Sequence, residues 1–563
     1  MKSKCMIIRW IVILSVIFVT IISVNGIERT KSIKFVAAMG AGWNLGNTFD
    51  SFDTNGDKGE KSWGNPVVTK ELLKAIKKQG FKSIRLPMST VMRISDSDTN
   101  YTINPGFINR YKEVVDWALS EGFYVMINIH HDSWSWLNKW NGDKTAAEYV
   151  KFVRIWEQLA SLFKDYNDRL MFESINEPQF SSTDGPAAIK AINEVFYQTV
   201  RNSGGNNGTR MLVLPLLNTD AVELKCKALY DQIKGFNDEN IIATFHYYSE
   251  WVYSANLGKT RFDEVLWDTA TPRTSLDATF KRVNDIFIEN GIGVICGEYG
   301  LLGFDKSDYC NENGETLKFI EYINYKSREL GICQMLWDNG QHFDRKEYEW
   351  KNPSFGNMVT TSMKTRSSYA TGLDYVFLSD KDKGNYISIP LTLNDNKISK
   401  IYDGKAILRK NKDYAINNTS VVLKPEYTNR LIGGDYGIKA ELTIKFSKGT
   451  DWTEYLAYSS IPVLSPGTGT TSRFSIPVDF KGDRLEKTVS KDIKGNVVSN
   501  NSWWQYLQYD SEFTADYKAG LINMLGDYFK VAKDGSYNLT FTFYSGKVIE
   551  YNITVSGTSV TGN

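Results

Sequence analysis

Net charge is almost absent from this chain: 66 lysines and arginines face 65 aspartates and glutamates over 563 residues, a formal balance of +1. Binding nucleic acid takes a basic field that displaces counterions from phosphates, so no nucleic-acid partner is expected. Cysteine is scarce as well. Cys5 lies in the N-terminal leader described below, and Cys226, Cys296, Cys310 and Cys333 are too dispersed for a disulfide framework and lack metal-ligand spacing. Cys296 and Cys333 sit in strand-like runs, where small buried hydrophobes are expected. After residue 24 no apolar run approaches the roughly 18 residues that cross a bilayer. What the chain has in quantity is aromatic surface, with 15 Trp, 31 Tyr and 29 Phe. Uncharged sugars are held by ring faces and hydrogen bonds, so a neutral polysaccharide suits this balance.

The N-terminus reads as a secretory signal peptide over 1–26. Lys2, Lys4 and Arg9 precede the apolar stretch Trp10–Val24, and Val24-Asn25-Gly26 offers small residues for cleavage. Its loss removes three cations and no anion, taking the formal charge from +1 to −2. The expected product is soluble, secreted, extracellular and monomeric, with no membrane attachment after cleavage; an uncleaved anchor is the alternative.

The remaining length exceeds one hydrophobic core, so several domains are expected. From 33 to 367, apolar runs alternate with amphipathic helical stretches. The runs are Met39–Asn47, Ser83–Pro87, Tyr124–His131, Leu170–Glu177, Arg210–Leu217, Ile241–Tyr248, Gly293–Gly300 and Cys333–Gly340. Helix candidates between them include Thr69–Gln79, Phe107–Ser120, Ala146–Asp165, Ala187–Val200, Thr279–Glu289 and Glu315–Glu329. Eight such units predict an α/β fold, a (β/α)8 TIM barrel. An open doubly wound sheet would carry a glycine-rich phosphate loop after its first strand, and Trp43-Asn44 obstructs one. Two all-β sandwich modules are expected to follow. Residues 368–463 read as an immunoglobulin-like sandwich, 464–471 (Ser465-Pro-Gly-Thr-Gly-Thr-Thr471) as a linker, and 472–563 as a further β-sandwich.

Six of the eight run ends carry residues of the kind sugar chemistry uses: Arg85, His130-His131, Asn176-Glu177, His246-Tyr247-Tyr248, Glu298 and Trp337. Parallel strands of one barrel bring these ends to a single rim, so Glu177 and Glu298 converge. Two carboxyls on one mouth are what a retaining or inverting glycosidase requires. One must be protonated, its pKa raised by burial or a neighbouring anion, while the other stays ionised. Arg85 and a hydrogen bond from Tyr248 suit the ionised partner, assigned as Glu298, the nucleophile. Glu177 is then the acid/base, and Asn176 can bond the sugar 2-hydroxyl.

The set Gly42-Trp43-Asn44-Leu45-Gly46-Asn47-Thr48, Ile84-Arg85-Leu86-Pro87, Asn128-Ile129-His130-His131, Ile175-Asn176-Glu177-Pro178, His246-Tyr247-Tyr248, Gly297-Glu298-Tyr299-Gly300 and Trp337-Asp338-Asn339-Gly340-Gln341 resembles glycoside hydrolase family 5, most of all its subfamily-4 endoglucanases and xyloglucanases. The resemblance covers about 35–365. It implies a retaining double displacement on plant cell-wall β-glucans, with Glu177 as acid/base and Glu298 as nucleophile. It also implies a shell of Arg85, His130, Asn176, His246, Tyr248 and Trp337, and carboxyls about 5–5.5 Å apart. Residues 368–463 resemble the immunoglobulin-like module that often follows such barrels, and 472–563 a family 46 carbohydrate-binding module.

Further sugar contacts are expected from Asn44, His131, Gln341 and Trp134, Trp136 and Trp140 on the loop after the third strand, at least one of these Trp lying in the cleft. Trp43, Trp63 and Trp251 are weaker candidates. Trp503 and Trp504 are candidates in the last module, placed on a strand where one would face the core and the other solvent. Asp53-Thr-Asn-Gly-Asp57 imitates a calcium loop, but Lys58 replaces the turn glycine and Gly64 the bidentate glutamate. No metal and no cofactor are expected. A mannanase or xylanase on the same barrel is the rival enzyme, and a polysaccharide-binding adhesin with an inactive barrel the rival from another class.

Overall fold

The computed structural model describes residues 30–95, 97–257, 260–266, 268–305, 312–501 and 503–563; the expected leader and Cys310 lie outside them. Eight parallel strands close a barrel in chain order: β1 (Gly42–Asn44), β2 (Ser83–Met88), β3 (Tyr124–Ile129), β4 (Leu170–Glu173), β5 (Leu212–Pro215), β6 (Ile241–Tyr247), β7 (Gly293–Tyr299) and β8 (Cys333–Leu336). Closure is direct, since Gly42 pairs with Ser83 on one side and with Met335 on the other. Seven strands fall inside the apolar runs and β2 passes its run by one residue, Met88, so the expected barrel is found. Helices at Lys70–Lys78, Pro105–Ser120, Ala147–Phe163, Gly185–Asn202, Pro272–Ile286 and Asn313–Leu330 match the candidates in place, and Glu223–Phe236 adds one between β5 and β6.

Period-2 alternation sorts the side chains by layer. Met126, Met171, Val213, Ile242, Ile295 and Met335 form an apolar floor inside the barrel, closed below by Val36 and Met39 of the helix Lys31–Met39. Their strand neighbours, such as Val125, Phe172, Leu212 and Val294, join the larger core under the outer helices. Each buried aliphatic side chain contributes about 1.5–3 kcal/mol, so these two layers carry the barrel's stability. Two residues further along the strands the inward positions turn polar: Asn44, Arg85, Asn128, Glu173 and Thr244 are all buried. Chemistry therefore begins one layer above the floor.

Residues 369–458 form a two-sheet sandwich. Five strands in the order 375–378, 452–458, 437–446, 398–403 and 406–407 face four in the order 414–417, 420–423, 387–392 and 369–370. Its buried Tyr369, Leu391, Leu442 and Trp452 are continuous with the barrel core. The last module has a separate core of Phe474, Ile476, Leu485, Phe541 and their neighbours. It meets the barrel through Arg261–Glu486 at 2.8 Å, Lys487–Glu264 at 2.5 Å and a β-bridge between Leu257 and Gln508.

Two expectations are corrected here. Residues 464–471 are not a free linker: Val463–Leu464 pairs with the strand Arg473–Asp479, and Gly467–Thr470 pairs with Ser559–Gly562. The glycines serve close packing, because a Cβ on Gly467 would stand 2.9 Å from the Ser475 carbonyl oxygen. Trp503 and Trp504 occupy a turn rather than a strand. Trp503 is 53% exposed and Trp504 half-buried, with ring centroids 6.4 Å apart.

Candidate active site

Arg85, fully buried on β2, is the hub of the barrel mouth. Its Nε donates to Glu173 Oε2 at 2.7 Å and its Nη2 to Asn176 Oδ1 at 2.8 Å. Nη1 donates to Glu298 Oε1 at 2.6 Å and to Asn44 Oδ1 at 3.1 Å. Burial works against the charged guanidinium, but Glu173 and Glu298 outweigh it and raise its pKa. Glu298 also accepts from Tyr248 Oη, on Oε2, at 2.6 Å. Its aim depends on an irregularity in β7, whose register against β8 shifts between Cys296 and Tyr299. Gly297 makes this possible. A Cβ there would lie 2.9 Å from Thr244 Oγ1 and 3.2 Å from His246 Nε2.

Glu177 follows β4 and holds a left-handed backbone, φ 37°, immediately before Pro178. Its side chain is 42% exposed and Oε1 lies 2.9 Å from His246 Nδ1. Carboxylate oxygens of Glu177 and Glu298 and a His246 ring nitrogen all fall within 4.8 Å of one another. The expectation that the acid's pKa is raised is not met. Burial pushes the Glu177 carboxyl up, but the hydrogen bond and charge of His246 outweigh burial and leave it below its ordinary value. Burial lowers His246, while Glu298 and Glu177 raise it on balance. Glu177 and His246 thus face each other as a hydrogen-bonded pair, each favouring the charged form of the other. His130 differs: burial, then the neighbouring His131, Arg85 and His246, keep it well below its usual range and neutral. It stacks on Trp337 with centroids 5.5 Å apart and planes 4° from parallel.

A cavity of about 300 Å³ opens beside Glu177 and Tyr248, lined also by Asn218, Thr219, Ser249 and Arg282. Glu177, Asn218, Thr219 and Ser249 have φ of 37°, 59°, 52° and 64°. Such backbone costs a non-glycine residue about 1–3 kcal/mol and concentrates at functional sites. On the opposite side, Phe52, Trp63, His131 and Trp134 form an aromatic patch with ring centroids 5.0–6.4 Å apart. Trp63 and Trp134 are 38% and 42% exposed.

Several expected sugar contacts have other duties. Asn44 is fully buried, donating to the carbonyls of Gly297, Met335 and Leu336, and so orients Arg85 from below. Trp140 is buried against Tyr149 and Phe180, its Nε1 donating to the Asp143 carbonyl. Trp136 donates to Asp132 and is covered by the Lys151 ammonium 4.6 Å from its ring. His131 has Nε2 3.2 Å from Asp50 and accepts from Trp134 Nε1 on Nδ1, so it positions Trp134. Trp337 stays half-buried at the mouth, as does Gln341, whose Nε2 is 3.2 Å from His342. Sequence reasoning missed Glu173, Asp50 and Phe52. An acid inside the apolar run of β4 was the available signal for Glu173.

A closed parallel barrel with two carboxylates facing each other across its mouth defines a glycoside hydrolase. Residues 45–343 match the family described as Cellulase (glycosyl hydrolase family 5), and the chain belongs to that family. Residues 371–455 match Carbohydrate binding domain X2, and 460–563 match the carbohydrate binding domain CBM46. The chain is similar to Endoglucanase B of Paenibacillus lautus, 38% identical over 538 residues, covering 94% of this chain and 93% of that protein. Among solved structures it resembles the full-length tri-modular endo-β-1,4-glucanase B of Bacillus halodurans, with 36% identity, a TM-score of 0.89 and coverage of 95% and 99%. It also resembles a family 5 xyloglucanase from Paenibacillus pabuli, with 32% identity and a TM-score of 0.50, covering 58% of this chain and 99% of that one. The protein is a cellulase-type glycosidase, an endoglucanase.

Proposed function

We propose that the protein is a secreted, extracellular, monomeric endo-β-1,4-glucanase that cleaves plant cell-wall β-glucans with retention of configuration. Cellulose-type glucan, mixed-linkage glucan and xyloglucan are its substrates. Glu298 attacks the anomeric carbon while Glu177 protonates the departing glycosidic oxygen, leaving a glycosyl ester on Glu298. Glu177 then takes a proton from water, which attacks the same carbon and releases the sugar with its original configuration. Arg85 accepts no role in proton transfer. It holds Glu298 in line and fixes the Asn176 amide with its oxygen toward the guanidinium, which leaves the NH2 for the sugar 2-hydroxyl.

The observation that carries this reading is the carboxylate gap. Oxygens of Glu177 and Glu298 within 4.8 Å of each other suit direct attack, whereas inversion needs about 6.5–9.5 Å to admit a water. The aromatic patch around Trp134 and the half-buried Trp337 supply stacking faces for an extended chain. Trp503 stands on the loop leading to Gln508, which bridges to the barrel at Leu257, and is assigned to hold polymer near the mouth.

Two measurements test the proposal together. A 2-deoxy-2-fluoro β-cellobioside should label Glu298, and product sizing on carboxymethyl cellulose, barley glucan, xyloglucan, mannan and xylan should show internal cuts in the three glucans. Labelling elsewhere, or preference for mannan or xylan, refutes it.

A further inference from the structure

Glu173 takes no part in these displacements, yet it lies fully buried beneath them at the end of β4. A carboxylate there is a burden on the fold. Oε2 accepts from Arg85, but Oε1 has no hydrogen-bond partner among the described residues, and neither has Oδ1 of Asn128, its register partner on β3. Buried acceptors left unsatisfied are a net cost to folding. The apolar floor and outer core close the barrel without this side chain. A group that the fold would be better without points to function.

We propose that Glu173 is a positioning residue that shares the charge of Arg85 with the nucleophile, keeping Glu298 reactive and holding the guanidinium in place throughout the reaction. This rests on the assignment of Glu298 as nucleophile. Arg85 lies between two carboxylates, Nε on Glu173 and Nη1 on Glu298. Facing Glu298 alone, the cation would bind its lone pairs more tightly and blunt the attack. The ester step makes the second demand. When a Glu298 oxygen bonds to the anomeric carbon, its negative charge is consumed and the leaving oxygen departs with the Glu177 proton. Arg85 then faces a neutral ester, and Glu173 is the anion that keeps the buried cation paired.

The titratable groups around this pair come from β6 and from the segments that follow β3, β4 and β6. They are His130 just after β3, with Nε2 3.8 Å from Glu298 Oε1, His246 on β6, with Nδ1 3.6 Å from Oε2, and Tyr248 and Glu177 at the rim. Burial raises the Glu173 carboxyl, opposed first by Arg85 and then by His246.

Glu173→Gln in the full-length protein tests the proposal, because glutamine keeps the shape and an oxygen for Arg85 Nε while removing the charge. Its thermal midpoint should equal or exceed that of the wild type, and kcat should fall. With Arg85 no longer shared, the nucleophile stays ionised further into acid. The acid limb of kcat/KM should therefore move to lower pH by about one unit, at the lower end of what a close charge does to a carboxyl. Glu173→Asp should bring the limb back toward its original place. An acid limb that stays or moves up in Glu173→Gln overturns the proposal, and so does loss of the fold, since the charge is assigned to catalysis. The fluoro-sugar should label Glu298 in both proteins; a label elsewhere in the wild type overturns the nucleophile assignment instead.

Discussion

Replacing Tyr248 with phenylalanine removes the phenol oxygen and, with it, one hydrogen bond to Glu298, the proposed nucleophile. Tyr248 Oη donates to Glu298 Oε2 at 2.6 Å, while Arg85 serves the other oxygen. A hydrogen bond to a charged acceptor contributes about 1.5–3 kcal/mol, and this one favours the ionised carboxylate alone. At about 1.4 kcal/mol per pH unit, its loss amounts to roughly one to two units. The sign follows directly. Without the phenol the carboxylate is less stable, so protonation reaches higher pH and the acid limb of kcat/KM moves up. Initial rates on an aryl β-cellobioside across the acid and neutral range measure it, with circular dichroism to show that the variant is folded. A limb that stays or moves down refutes the reasoning. Tyr248→Phe and Glu173→Gln should shift in opposite directions, whereas a general loosening of the site would move both the same way.

Glu177→Ala should still form the glycosyl-enzyme from substrates with activated leaving groups, and azide should restore turnover as a retained glycosyl azide. An inverted azide would sink the double displacement. Trp140→Ala should lower stability by about 3–5 kcal/mol and leave KM for short oligosaccharides unchanged. Trp134→Ala should stay within about 0.5 kcal/mol of the parent and raise KM. The reverse pattern in urea melts and kinetics would contradict the placement of these rings.

The barrel was legible because a parallel sheet covered by helices is apolar on both faces and appears in sequence as eight near-continuous runs. The helix Glu223–Phe236 was less so, since only Cys226, Leu229 and Ile233 mark its buried face. Residues 464–471 have the composition of a linker, yet their glycines admit a neighbouring strand rather than motion. Of the three tryptophans within seven residues that suggested a sugar site, Trp134 is exposed while Trp140 is buried. Exposure depends on what covers a ring, and Tyr149 and Phe180 come from a helix and from the loop after β4.

The sequence by itself determined the barrel, the two β-modules after it and the carboxyl pair Glu177 and Glu298, because strand periodicity and strand-end chemistry are local patterns. Only the tertiary structure decided how that pair is governed. Arg85 meets Glu173, Asn176 and Glu298 across separations of 88, 91 and 213 residues, and His246 reaches Glu177 across 69. Ion pairing and hydrogen bonding weaken with distance, and these short distances exist only once the barrel has closed.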